Sequence, residues 1–161
     1  MATSAYPLGS LVRVREYREQ KASDELRKAI AAVEAAQKRL EAAIEALGRY
    51  RAWRIEEEER LMQTIMYKPV SLGRVGDVRA EIVELREAEL QYVDAKAQAE
   101  TALAAAIEAR KAAAARYKQA VQAHQKLLRH QERWEAEYYF LLERAAEAEL
   151  EEFQTKGANA R

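Results

Sequence analysis

Apolar residues in the first half of the chain recur at alternating intervals of four and three: Leu26, Ile30, Val33, Leu40, Ile44 and Leu47, with Gln37 as the one polar member. That is a heptad, the pattern of a helix packed along one narrow stripe against another helix. Past Leu47 the register lands on Arg51, Arg54 and Glu58 and recovers at Leu61 and Ile65. Gly48 and the bulky Tyr50, Trp53 and Ile55 accompany the lapse, so a local shift of register plugged by Trp53 is expected. The second half repeats the pattern for far longer. Val78, Ile82, Leu85, Glu89, Tyr92, Lys96, Ala99, Leu103, Ala106, Arg110, Ala113, Tyr117, Ala120, His124, Leu127, Gln131, Trp134, Tyr138, Leu141, Ala145 and Ala148 mark one continuous seam.

Between the halves lies Met66 to Asp77, which holds one of the two prolines and two of the five glycines. Pro69 lacks a backbone donor and turns Lys68 away from helical angles. Gly73 and Gly76 admit non-helical backbone, and Asp77 suits the cap of a new helix. The expected fold is all-α: an antiparallel coiled-coil hairpin whose second helix is the longer. Its parts are helix 1 over about 8–66, a tip loop over about 67–77, helix 2 over about 77–155 and a flexible tail at 156–161. Residues 1–7 read as a lead-in, with Pro7 placed to start a helix. Folding the halves about the tip sets Ile65 opposite Val78, Leu40 opposite Leu103 and Leu26 opposite Tyr117. Small alanines of helix 2 then face larger residues of helix 1.

The second helix outruns the first on this register. Its last 20 residues or so lack a partner on helix 1, and they include the overhang candidates Tyr138, Tyr139, Phe140, Leu141 and Leu142, with Leu150 and Phe153 beyond. Apolar side chains on an unpaired helix mark a binding surface or a site of self-association. Alternatively, the lead-in folds back and covers one face with Tyr6 and Leu8.

Composition agrees with long helices: charged residues make up 34% of the chain and aromatics 7%. Net charge is zero, with 27 basic and 27 acidic residues, so the total favours no partner of either sign. Its distribution says more. Ala109 to Gln131 contains no acidic residue but carries Arg110, Lys111, Arg116, Lys118, Lys126 and Arg129; Glu132 to Glu152 sets eight glutamates against Arg133 and Arg144. The basic run either pairs with Glu16, Glu19, Asp24 and Glu25 across the hairpin or meets an acidic protein. Without aromatic platforms among the charges, nucleic acid is the weaker reading.

No constellation for catalysis is visible. His124 and His130 stand six apart, on opposed faces of a helix, which is not the spacing of a metal pair. Exposed carboxylates on a helical surface lack the desolvation that acid–base work needs. There is no phosphate loop and no cysteine. No enzyme activity, metal, cofactor or nucleic-acid partner is therefore expected. The absence of cysteine fits a reducing compartment, and neither a secretory signal nor a transmembrane segment is read in the chain.

Two motifs flank the tip: Tyr50-x-x-Trp53-Arg54-Ile55-x-Glu57-Glu58-x-Arg60-Leu61, and Ile82-x-x-Leu85-Arg86-Glu87-x-Glu89-x-x-Tyr92. They resemble the YscO family of type III secretion proteins, the counterpart of flagellar FliJ, although the alanine-rich second helix departs from it in composition. The resemblance implies a cytoplasmic stalk, peripheral to the inner membrane, similar to the coiled coil of the rotary ATPase gamma subunit. Such a stalk enters the hexameric secretion ATPase and links it to the export gate, and family members are also associated with chaperone handling. The end bearing both termini would contact the ATPase through Arg13, Arg15, Arg18, Arg110, Arg116, Lys118, Lys126 and Arg129. The tip would meet the gate through Val75, Val78 and Ile82. A monomer is expected. The rivals are a homo-oligomeric coiled-coil scaffold and, more weakly, a nucleic-acid binder using residues 109–131.

Overall fold

The computed structural model describes residues 6–158. Helix α1 spans Gly9–Gln63 and α2 spans Leu72–Ala158, of 55 and 87 residues, and the two form an antiparallel hairpin without strands among the described residues. The chain divides into two units, one of Met1–Leu26 with Ala113–Arg161 and one of Arg27–Ala112.

In the Arg27–Ala112 unit, Val33, Ala36, Leu47, Leu61 and Val78 are buried, and Val78 is fully so. The α1 seam runs Ala29, Val33, Ala36, Leu40, Ala43, Leu47, Tyr50 and Arg54, each at least partly buried. This corrects the sequence reading at alternate positions. Ile30 and Ile44 are 44% and 48% exposed, and Gln37 is exposed too. The reason is size: alanine at the contact leaves the space between helices to Val33, Leu40 and Leu47, and the branched isoleucines stand along its edge. Nor does the register slip after Leu47. The three-four spacing continues through Tyr50, Arg54 and Leu61, while Trp53 lies beside the seam, half exposed.

The turn is built from specific bonds. The Thr64 and Ile65 amides donate to the Leu61 and Met62 carbonyls, tightening the last turn of α1, and the Met66 amide closes on Met62 at 3.0 Å. Tyr67 then adopts a left-handed backbone, φ 59°, two residues before Pro69. Ser71 starts α2. Its hydroxyl accepts the Arg74 amide at 3.2 Å and its carbonyl accepts Val75, so the cap lies six residues ahead of Asp77. Gly73 and Gly76 are helical, and a Cβ on Gly76 would meet open space. The loop is accordingly shorter than the 67–77 expected.

In the other unit, α1 begins after a turn in which the Gly9 amide donates to the Tyr6 carbonyl. The α2 seam positions Ala113, Tyr117, Ala120, His124, Leu127, Gln131, Trp134 and Tyr138 are all partly or fully buried, and from Tyr139 to Lys156 every side chain is exposed. Leu141, Ala145 and Ala148, which the heptad assigned to the seam, have nothing on α1 to pack against. The proposed tail lies partly on α2, which continues to Ala158; residues 159–161, like 1–5 of the lead-in, fall outside the described residues.

Candidate functional site

Helical geometry brings the two motifs beside the tip into one cluster. Tyr50 stacks on Tyr92 with ring centres 4.5 Å apart and donates its hydroxyl to the Leu85 carbonyl at 2.7 Å. That carbonyl is on the backbone of α2, so the bond ties one helix to the other. Burial and the neighbouring Tyr92 raise the Tyr50 pKa above its ordinary value. Trp53 tilts against Tyr50 at 5.5 Å and borders an open groove of about 590 Å³ with Ala46, Arg49 and Tyr92.

Four helical positions further on, the seam is ionic. Arg54 donates through Nε to Glu89 at 2.8 Å and through a terminal nitrogen to Glu58. Arg51 also reaches Glu89, at 2.6 Å, and Arg86 grips both oxygens of Glu58 at 3.0 and 3.1 Å. The side chains of Arg54, Glu58 and Glu89 are each less than a fifth exposed. Hydrogen bonds from Arg86, then from Arg54, pull the Glu58 carboxyl down to about 2, against the desolvation that opposes them. Glu89 is lowered chiefly by Arg51, and Arg54 is raised chiefly by Glu58. Among the described residues no buried side-chain nitrogen or oxygen lacks a partner. Pattern reading took Arg54 and Glu58 for a lapse in the heptad; their partners lie on the other helix, where spacing along one strand of sequence cannot find them.

At the tip, Tyr67 and Leu72 are almost wholly exposed, with Met66 and Val70 partly so. The gate candidates lie differently. Val75 and Ile82 are half-buried, and Val78 is completely enclosed, so it supports the tip from within and offers no surface.

The basic candidates lie in the unit that holds Tyr6 to Leu26 and Ala113 onward, apart from Arg110. Arg15, Arg18, Lys21 and Arg116 line an open groove of about 450 Å³ together with Ala22, Glu25 and Gln119. Arg13, Lys118, Lys126 and Arg129 are exposed, as is Arg110 in its own unit. Of the acidic residues expected to neutralise this run, Glu25 approaches Arg116 only to 3.9 Å, and Glu19 goes instead to His124 Nδ1 at 2.6 Å. His124 is thus a packed seam residue with a carboxylate partner. His130 takes the Tyr6 hydroxyl at 2.7 Å, and the Tyr6 ring packs on Trp134 at 5.5 Å. Trp134 stacks in turn on Tyr138. Tyr6 packs short of the overhang, on His130 and Trp134, and Tyr139, Phe140, Leu141 and Leu142 stay open. Among the described residues no group of three or more His, Asp or Glu could hold a metal ion, and no helix is long and apolar enough to cross a membrane.

The family model for the type III secretion protein YscO matches residues 8–156. The chain belongs to the YscO family. Its fold is similar to the crystal structure of the type III secretion protein YscO from Vibrio parahaemolyticus, at TM-score 0.85 and 25% identity over 91% of this chain and 92% of that one. No curated protein matches it. The matched span takes in the charged and aromatic cluster, the tip, the basic groove and most of the overhang.

Proposed function

We propose that this YscO-family chain is the stalk that joins the hexameric secretion ATPase to the export gate, acting mechanically and without catalysis. Family membership carries the reading, and the exposed cations of one end support it. Arg13, Arg15, Arg18, Arg116, Lys118, Lys126 and Arg129, with Arg110, meet acidic loops of the ATPase ring. An asymmetric hairpin in a symmetric ring biases its subunits unequally, which is the coupling free energy such a device requires. The gate contact falls on the exposed apolar tip residues Met66, Tyr67, Val70 and Leu72, with Val75 and Ile82 at its margin. Handling of secretion chaperones would use the open aromatic face at Trp53, where a half-exposed indole lies against Tyr50, itself stacked on Tyr92. The protein works as a monomer in the cytoplasm, peripheral to the inner membrane.

The test is ATP hydrolysis by the purified secretion ATPase. Adding the chain should raise the rate, and Arg18→Glu with Arg116→Glu should abolish most of that rise while helicity is kept. An unchanged rate, together with no binding, would remove the ATPase from the account.

A further inference from the structure

The basic groove of Arg15, Arg18, Lys21 and Arg116 does not stand alone. Arg15 and Ala123 at its edge also line a second open groove of about 450 Å³, whose other walls are Leu8, Leu11, Lys126, Leu127 and His130. The two make one trough along the same side of α1 and α2, about 26 Å long from Leu8 to Glu25. It is apolar at the Leu8 end, where Leu8 and Leu11 are exposed, and cationic further along. Five cations line it against Glu25. Among the described residues, Arg116 alone of the five has an ion-pair partner, Glu25 at 3.9 Å.

The same chain carries the matching surface. Beyond α1, Tyr139, Leu142, Ala146, Leu150 and Phe153 recur at steps of three and four on α2 and share an arc of about 80°. This stripe is turned roughly a quarter turn from the direction in which Trp134 and Tyr138 face α1. Its four large side chains are exposed. Glu143 borders it on one side and Glu149 on the other, while Arg144 lies on the far face over Phe140. Lys156 stands past its end, paired with Glu152. At about 21 Å the stripe fits within the trough.

We infer that the α2 end of one chain seats in the trough of a second copy, as the third helix of the contact. It runs parallel to α1 of that copy, with Tyr139 at Leu8 and Phe153 at Ala22. Apolar then meets apolar at the Leu8 end, and Leu150 and Phe153 enter the space left by Ala22, Ala120 and Ala123. Glu147 comes within one turn of Arg18, and Glu149 within one turn of Lys126. The reverse direction would bring the glutamates toward the leucines. Stripe and trough lie on opposite sides of α2, so one contact leaves a stripe and a trough free. The contact is heterologous and adds further chains. Seating covers Arg15, Arg18 and Lys126; resting on the stalk reading, the series is an idle form and the single chain the working one.

Light scattering of the full chain, up to about 0.1 mM protein, is the test. The mean mass should rise with concentration above that of one chain, and less so in high salt, which screens the exposed charges. Phe153→Glu should hold the mass at one chain. It adds a charge attractive to the trough, so its loss of association reports a seated side chain and not plain attraction. Arg18→Glu and Glu147→Lys should each weaken association at least about tenfold, and the two together in one chain should restore it. All three positions are exposed, and unchanged melting confirms the fold. A single-chain mass at every concentration would overturn the inference. So would association that survives Arg18→Glu, which would set two α2 ends against each other, or a double variant as weak as either single one. None of these readouts involves the ATPase, so the stalk reading can fail while this contact holds, or the reverse.

Discussion

Two neighbouring stretches of α1 close on α2 by opposite means. From Val33 to Leu47 the contact is aliphatic, with alanine alternating with Val or Leu. From Tyr50 to Glu58 it is a stacked tyrosine pair followed by an arginine held between two carboxylates. The first stretch gains from burying apolar surface and tolerates sliding by a heptad, since one alanine–leucine layer resembles the next. The second cannot slide: displacing Arg54 from Glu89, or Arg86 from Glu58, leaves partly buried charges without partners. Packing supplies cohesion, and the polar cluster fixes the alignment. The family-like motifs coincide with the part that sets register next to the tip.

The largest effect should come from the aliphatic stretch. Leu47→Ala, at a site 5% exposed, should cost about 2–4 kcal/mol. Ile44→Ala three residues earlier should cost under about 1 kcal/mol, because that side chain stands half in water. Thermal or urea unfolding gives both numbers; equal losses would restore the heptad through Ile44 and refute the alanine seam.

The ionic stretch should respond to acid. Glu58 lies at about 2 in the folded chain against an ordinary 4.5, so the unfolded chain binds the proton first as pH falls. Its stabilisation is complete above about pH 4.5 and drains away toward pH 2. Glu89 and Glu57, also lowered, add to the same trend. Glu58→Gln should cost about 1–3 kcal/mol at neutral pH and flatten the acid limb of melting temperature against pH. A parallel limb in parent and variant would mean that Glu58 is not a source of the acid sensitivity.

The smallest effect tests the turn. Gly76→Ala sits in helix with open space around a new Cβ and should stabilise by about 0.5–1 kcal/mol. Destabilisation instead would show that α2 begins nearer Asp77 than Ser71.

Much of this was legible in the sequence. Heptads, the proline and the run without glycine define two antiparallel helices, and the seam of α2 was read correctly from Val78 to Tyr138 except at exposed Arg110. The α1 seam was misread at Ile30, Gln37 and Ile44, where a step of three or of four satisfies the period equally. Hydropathy then prefers isoleucine, while close packing prefers the adjacent alanine. Ser71 was overlooked because Asp77 is the stronger cap on paper, although a serine hydroxyl serves as well when it comes first. The Arg54–Glu58–Arg86–Glu89 cluster was invisible because Arg54, Glu58 and Glu89, read along their own helices, are polar lapses in a seam, and nothing on one helix pairs them with the other. Only the fold across the turn makes it a site.

On the proposed stalk function, the two ends of this YscO-family hairpin meet different proteins. A photoactivatable phenylalanine analogue placed at Arg116, and separately at Leu72, tests it most directly in cells carrying the assembled secretion apparatus. Cross-links from position 116 to the ATPase and from position 72 to the export gate are the predicted result. Cross-links to the ATPase from position 72, with none from position 116, would contradict it.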